Sequence, residues 1–513
     1  MAKPRTEIEV KFDVAAPSAA SLERLLRKRA GRAPVRESLT SVYFDTPRHA
    51  LYRKGVTLRV RRLGRKYTQT VKSATASGGV LKRAEWERPV ARFAPDLPEA
   101  RKTGLRALIE LGAHARLVPV FRIVVRRSRY AITAGRSRIE VAVDDGRALA
   151  GGRQRRFHEL ELELTGGAAA GLFALAKSLS SRGDLELSLT TKAARGYELI
   201  GETADSPVTG GDLILSSKIA ASLAFQRIVQ RCFQRMARNR VAAIAGDPDA
   251  VHEMRIAIRQ LRVALEVFSD VLRTRESQSL KKELRWINAE LGRARDIDVF
   301  FQDVIEPWAR RHRRRAPVSD VYRAFERRRG ELHAQAAAGL RSPRFTCLLL
   351  DVMRYASGFY EQGVKTGGAA GRSNTRIARY AAIELRRRRA KFVKIGRRLR
   401  SLSETDRHQL RIRGKKLRYA IEFFEDVYPG KKHRKRHHIA VRALKQLQNA
   451  LGELHDVAQQ RALARSYLQR SGAGSSVAVI GSTTRVSPAR CHRLLDKAVK
   501  AYKEFATVKP FWI

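Results

Sequence analysis

Two segments 156 residues apart carry the same charge pattern, and that pattern leaves little freedom in how they fold. In VHEMRIAIRQLRVALEVF the residues His252, Arg255, Arg259 and Arg262 follow the spacing i, i+3, i+7, i+10. In RHQLRIRGKKLRYAIEFF the same spacing selects His408, Arg411, Lys415 and Arg418. At about 100° per residue, four such positions share roughly 80° of a helix and span about 15 Å. The apolar residues occupy another face: Met254, Ile258, Leu261 and Leu265 in the first copy, Leu410, Leu417, Ile421 and Phe424 in the second. The spacing predicts two helices, each packed on one side and each offering a row of cations on the other. Such a row suits an extended polyanion.

Composition points to the same class of partner. Among 513 residues, 104 Lys and Arg stand against 50 Asp and Glu, a formal net charge of +54. That surface attracts nucleic acid, anionic membrane or polyphosphate. The cations favour Arg, whose planar fork suits phosphate oxygens. The length is ample for two or more cores. Cys232, Cys347 and Cys491 lie far apart in no metal-binding spacing. An odd, sparse set argues against a disulfide framework and for a reducing cytosol. The opening MAKPRTEIEVKF lacks the apolar core of a signal peptide. No run approaches the ~18 apolar residues of a membrane span, so a cytoplasmic protein without a membrane span is expected. Aromatic residues make up 7% of the chain and do not interleave with the basic rows. This disfavours nucleic acid as a specific partner.

The pattern changes near residue 205. Before it, period-two alternation predicts strands at 7–12, 57–62, 67–72, 84–90, 121–127, 138–144 and 158–164, with helices at 19–29, 100–111 and 171–180. After it the chain reads as almost wholly helical from 217 to about 468. The stretch ADSPVTGGD reads as a linker. The expected organisation is a strand domain at 1–203, a linker at 204–214, a helical domain at 215–505 (halves about 215–365 and 372–505) and a tail at 506–513. The fold class is α+β and multidomain.

Residues two apart share a face of a strand. Glu7, Glu9 and Lys11 share one; Arg59 and Arg61 oppose Leu58 and Val60; Arg83, Glu85 and Glu87 line up. Glu159, Glu161 and Glu163 oppose Leu160, Leu162 and Leu164, and Thr70 and Lys72 flank Val71. A solvated outer face accounts for any one of these strands. Across the set, carboxylates concentrate on the first and last strands and cations on the middle ones, which a barrel with a charged lumen explains. Carboxylates there could hold hard divalent cations, and Arg and Lys could clamp phosphates. Phosphoanhydride hydrolysis needs that combination.

The ordered series E-x-E-x-K (7–11), SVYFDTP (41–47), TLRVR (57–61), TVK (70–72), RAEWE (83–87), FRIVVRR (121–127), IEVAVDDG (139–146) and ELELEL (159–164) resembles the CYTH family, the triphosphate tunnel metalloenzymes. The resemblance covers roughly residues 3–203. It implies an antiparallel eight-stranded β-tunnel that takes a triphosphate with Mg²⁺ or Mn²⁺. It implies metal binding by Glu7, Glu9, Glu161 and Glu163, phosphate contacts from Lys11, Arg59, Arg61, Lys72, Arg122 and Lys192, and catalytic work by Lys11, Glu7 and Glu9. Glu85, Glu87, Glu140 and Asp144 match acidic tunnel positions without separate roles, and which of Glu159, Glu161 and Glu163 serve the metal stays open.

The paired basic rows resemble the CHAD family, a conserved-histidine α-helical domain, over roughly residues 215–505. A second element repeats with them: LGRARD from Leu291 matches LGELHD from Leu451. The resemblance implies an all-α bundle with an internal pseudo-symmetric repeat. It also implies polyphosphate binding by His252, Arg255, Arg259, Arg262, Arg295, His408, Arg411, Lys415, Arg418 and His455. Lys415 replaces an Arg, and Arg295 stands where the second copy has His455. For Asp296 and Asp298, capping or orienting the row is expected ahead of the alternative, metal binding. The joint expectation is a metal-dependent inorganic triphosphatase with a polyphosphate-binding domain that places it on polyphosphate granules. The alternatives are a nucleoside or thiamine triphosphatase, an adenylate cyclase, or a non-catalytic polyphosphate binder.

Overall fold

The computed structural model describes residues 5–73, 82–111, 116–182, 185–202, 213–272, 275–311, 318–358, 374–470 and 488–513. The chain divides into two compact units. The first is Met1–Pro207 with Arg341–Tyr360; the second is Val208–Leu340 with Glu361–Ile513.

In the first unit the described residues before 203 form strands and α-helices in this order: β1 (Arg5–Val14), α1 (Ala19–Ala30), β2 (Val35–Asp45), α2 (Ala50–Arg53), β3 (Val56–Leu63), β4 (Lys66–Ser73), β5 (Lys82–Val90), α3 (Leu97–Arg101), α4 (Arg106–Ile109), β6 (Val118–Ala134), β7 (Ser137–Ala150), β8 (Arg153–Gly166), α5 (Ala169–Ser180), β9 (Leu185–Leu187) and α6 (Lys192–Leu199). The strand order is β5-β4-β3-β2-β6-β7-β8-β1-β9, and β5 also pairs with the start of β1. Strands β1 to β8 therefore close into an antiparallel barrel, which removes the open edges. β9 adds to the far half of β1.

Closure explains the sequence polarity. Val10, Phe12, Leu58, Val60, Leu160 and Leu162 are fully buried, while the charged residues that alternate with them turn into the lumen. On β2–β4 the apolar face packs on α2–α4 through Leu51, Ala100, Ala107 and Leu108. The region 100–111, expected as one helix, is instead α3 and α4, separated at Gly104, whose φ is +73°. Strands β2 and β9 and helix α6 have no counterpart in the periodicity reading. The second half of β2 is buried on both faces, so it shows no alternation.

Asp45, the Asp of SVYFDTP, is structural. It is fully buried and accepts hydrogen bonds from the backbone N–H groups of Thr46 (2.7 Å), Leu51 (2.9 Å) and Tyr52 (2.9 Å) and from the Tyr197 hydroxyl (2.7 Å). It ties β2, α2 and α6 together. Gly196 lets α6 approach the barrel wall: a Cβ there would sit 2.1 Å from the Phe121 ring.

The second unit is helical: α7 (Ala221–Ile244), α8 (Pro248–Val267), α9 (Arg275–Phe300), α10 (Glu306–Arg311), α11 (Val318–Arg341), then α13 (Ile377–Gly396), α14 (Glu404–Phe423), α15 (Lys431–Arg470) and α16 (Pro488–Thr507). Asp247 caps α8 and Ser403 caps α14. All eight apolar residues expected to pack behind the two basic rows are buried, at 2% exposure or less. The equivalent residues Phe268 and Phe424 meet at 6.1 Å between ring centroids, so the two copies share a core. Helix α12 (Pro343–Ala356), which the sequence places in the helical half, belongs to the first unit. There Asp351 accepts from Lys177 of α5 at 2.5 Å.

Candidate functional site

The barrel encloses a cavity of about 440 Å³. Its lining includes Glu7, Glu9 and Lys11 of β1, Glu37 and Tyr43 of β2, Arg59 and Arg61 of β3, Lys72 of β4, Glu85 and Glu87 of β5, Arg127 and Arg129 of β6, Glu140 of β7, Glu161 and Glu163 of β8, and Lys192 at the start of α6. Thr191 caps α6, its hydroxyl accepting from the Ala194 N–H at 3.0 Å, and so fixes where Lys192 enters.

Charge is distributed unevenly around this wall. Near β8 the carboxylates are saturated. Glu161 lies 2.7 Å from Lys11, 2.7 Å from Lys192 and 2.5 Å from Arg127. Burial alone would raise its carboxyl, but these three cations hold it well below the usual range. Glu159 is fully buried and sits 2.5 Å from Lys192 and 3.3 Å from Arg195. Asp144 is bound by Arg127 at 2.7 Å and by Lys192 at 2.9 Å. Although Asp144, Glu159 and Glu161 converge closely enough to hold an ion, cations already occupy them.

Around β1 and β5 the cations are shared: Lys11 lies 3.2 Å from Glu9 as well as 2.7 Å from Glu161. Burial, then a hydrogen bond with Glu85, raises the Glu7 carboxyl. Burial would raise Glu85 as well, but that same hydrogen bond and Lys72 lower it. Lys72 lies 3.0 Å from each of the pair. Glu9 and Glu163 lie directly opposite each other across β1 and β8, an arrangement that is unfavourable for like charges unless a cation stands between them. All the donors are hard oxygens, which fit Mg²⁺, Mn²⁺ or Ca²⁺.

On β3 the cations are under-matched. Burial and the neighbours Arg59 and Arg127 push Arg61 down to about 10. Its Nε donates to the Ser41 hydroxyl at 3.4 Å, and no carboxylate pairs with it among the described residues. Arg59 reaches Glu85 at 3.6 Å through Nη2, while its Nε is buried without a partner. Burial would raise the Tyr43 phenol, but Arg59, Arg61 and Lys192 lower it.

One expected contact is misplaced. Arg122 is exposed on the opposite face of β6 and borders a separate surface hollow with Gly151 and Arg153. Residues of odd number face inward on β6: Phe121, Ile123 and Val125 are buried, and Arg127 and Arg129 reach the cavity. Arg127 and Arg129 were missed by sequence reasoning. Anchoring the parity of FRIVVRR on Phe121 would have found them.

In the helical unit the two rows converge. Lys415 lies near Arg255 and Arg259 of the first copy as well as Arg411 and Arg418 of its own, and Lys416 bridges to Glu266 of α8 at 2.9 Å. Arg255 is buried with Nε and Nη1 unpartnered, and Arg411 has an unpartnered Nε. Burial and Arg259 push Arg255 down to about 10. Burial and Arg295 lower His252, placing Arg295 beside the row. Arg418 is partly committed, to Glu422 at 2.6 Å and Gln448 at 3.1 Å. Asp296 lies 3.6 Å from Arg255. Asp298 does not serve the row: it is buried against Arg329 (2.7 Å) and His333 (2.9 Å). The side chain of His455 lies outside the described residues.

The LG element has a geometric role that its sequence did not reveal. A Cβ on Gly292 would lie 2.7 Å from Arg255 Nη1, and one on Gly452 would lie 3.1 Å from Arg411 Nη2. Glycine inside a helix costs about 1 kcal/mol relative to alanine. Here it opens the space in which each arginine lies.

The family model of the CYTH domain matches residues 5–197 and that of the CHAD domain residues 227–465, the latter including α12. The chain is 29% identical to an inorganic triphosphatase of Haemophilus influenzae over 195 residues, 38% of this chain and 54% of that protein. It is 28% identical to an uncharacterized protein of Mycobacterium tuberculosis over 320 residues, 57% of this chain and 58% of that one. The chain thus spans a little over half the length of these curated relatives. A crystal structure of the CHAD domain from the plant Ricinus communis matches with a TM-score of 0.50 at 24% identity, over 58% of this chain and 97% of that chain. That likeness concerns the fold. Among the described residues no helix is long and apolar enough to cross a membrane.

Proposed function

Because the chain joins a CYTH domain to a CHAD domain, we propose that the barrel is a divalent-metal-dependent inorganic triphosphatase and that the helical unit binds inorganic polyphosphate, placing the enzyme on polyphosphate or its granules in the cytoplasm. The observation that carries the first half is the charge of the lumen. Seven cations and eight carboxylates line it. A triphosphate adds several negative charges to a wall that is already slightly acidic, so divalent cations must enter with it.

Glu7, Glu9 and Glu163 are the residues suited to hold Mg²⁺ or Mn²⁺, which would polarise the phosphoryl oxygens. Glu161, saturated by Lys11, Lys192 and Arg127, serves instead to fix those three cations. Arg59, Arg61, Lys72 and Arg127 grip phosphate oxygens and hold the chain in line. Lys11 and Lys192 keep positive charge at the wall where the transferred phosphoryl group gathers negative charge. The test is phosphate release from triphosphate, ATP, thiamine triphosphate and long-chain polyphosphate, with and without Mg²⁺ or Mn²⁺, with cyclic AMP measured alongside. Metal-dependent release confined to triphosphate is expected. No release from any substrate, with polyphosphate still bound, would make the barrel a binding module.

Two predictions concern the rows. Burial, followed by Arg259, Arg411, Arg418 and Arg255, pushes the Lys415 amine down to about 8. A polyanion needs that amine charged. Polyphosphate affinity is therefore expected to fall by about tenfold as pH rises through this value, and Lys415→Arg should flatten the profile. Stability of the free protein runs the other way. Above pH 8 the unfolded chain, with an ordinary lysine at 10.5, binds more protons than the folded one. Stability thus rises with pH between the two values, readable as melting temperature against pH. Separately, Gly292→Ala and Gly452→Ala are each expected to weaken polyphosphate binding by roughly threefold to tenfold with little loss of melting temperature. Each methyl displaces a guanidinium tip rather than backbone.

A further inference from the structure

We propose that Glu425, His437 and His438 form a site for a divalent transition-metal ion of the zinc type, distinct from the barrel and from the basic rows. Glu425 Oε1 lies 3.7 Å from His437 Nδ1 and 3.7 Å from His438 Nε2, and the ligand atoms of all three fall within 4.8 Å of one another. Ligands at about 2.0–2.2 Å around a tetrahedral ion stand roughly 3.3–3.5 Å apart, so a small inward movement completes the set. Two imidazoles and one carboxylate suit zinc or its neighbours. A lone carboxylate offers too few oxygens for Mg²⁺ or Ca²⁺.

His437 supplies the independent observation. Its side chain is 4% exposed, and neither ring nitrogen makes a hydrogen bond of good geometry, the Ile421 backbone offering a weak contact at most. A buried imidazole left in that state is costly, and coordination satisfies one of its nitrogens. Phe511 holds the ring edge-on at 5.0 Å between centroids, so the ligand is already oriented. Glu425 and His438 are exposed, at 46% and 71%. They open onto a groove of about 560 Å³ that also holds Arg231, Glu422, Arg442 and Lys445. Arg442 is paired with Glu504, which offsets one of the three nearby cations. The position left open on the ion faces this groove and takes water or an anion. No residue of either basic row lines the groove.

The duplication shows that the fold does not require these residues. The 160-residue offset of the LG element aligns Ser277 and Gln278 with His437 and His438, and the 156-residue offset of the basic rows aligns Ser269 with Glu425. Ser277 and His437 are both buried, and so are Leu284 and Leu444. The same buried position thus accepts serine in one copy and imidazole in the other.

The test titrates tag-free full-length protein with Zn²⁺ against a chromophoric chelator and follows Co²⁺ by its visible absorption. The variants are Glu425→Gln, His438→Ala and His437→Ser, the last taking the residue of the first copy, each checked for an unchanged melting curve. Wild type is expected to bind one equivalent that each variant weakens at least tenfold, with loss of the Co²⁺ bands. Glu7→Gln with Glu9→Gln is expected to retain that equivalent. Equal stoichiometry and affinity in wild type and in the folded exposed-site variants, or Co²⁺ bands that persist in them, would overturn the site.

Discussion

Glu7→Gln combined with Glu9→Gln is expected to lower metal-dependent phosphate release by about a thousandfold or more, with polyphosphate affinity unchanged. Glutamine keeps the shape of each side chain and removes the charge. Lys72 retains Glu85 at 3.0 Å, so no cation is stranded at that end, and Lys11 retains Glu161 at 2.7 Å. The barrel should therefore fold. What is lost is the hydrogen-bonded Glu7–Glu85 pair and the carboxylate facing Glu163 across β1 and β8, the part of the lumen where Lys72 and Lys11 are each shared between two carboxylates. Turnover that survives in the variant would remove the reaction from this lumen. Loss of both turnover and polyphosphate binding in a folded variant would defeat the separation into two sites.

Such a variant can be named because the barrel was largely legible in the chain. A strand whose charges fall every second residue must turn them either to solvent or to a lumen, and the clustering of sign by strand favoured the lumen. Legibility failed where one face changes character. On β6 the inward face runs Phe121, Ile123, Val125 and then Arg127, Arg129, so charge does not mark parity and Arg122 was assigned to the wrong side. The saturation of Glu161 also escaped, because its partners come from β1, β6 and α6. Period describes one strand at a time. The helical rows were read from spacing alone, yet the use of Gly292 and Gly452 required the packing of a second helix.

Replacing Arg255 and Arg411 together by methionine is expected to weaken polyphosphate binding by at least about a hundredfold while leaving the melting temperature unchanged or higher. These two guanidiniums occupy the space opened by Gly292 and Gly452, and each carries a buried nitrogen without a partner. A charge-assisted hydrogen bond contributes about 1.5–3 kcal/mol, and two are removed. In the free protein the Arg255 charge is unfavourable. Arg255 is 8% exposed, depressed to about 10 by burial and by Arg259, and its nearest carboxylate, Asp296, is mostly exposed. An apolar side chain of similar volume relieves that desolvation, by roughly 1 kcal/mol. A structural role predicts the opposite sign: if these arginines hold the bundle together, the double variant melts lower. Opposite movement of binding and stability would identify the row as repulsion maintained for a polyanion. Parallel loss of both would return it to the scaffold.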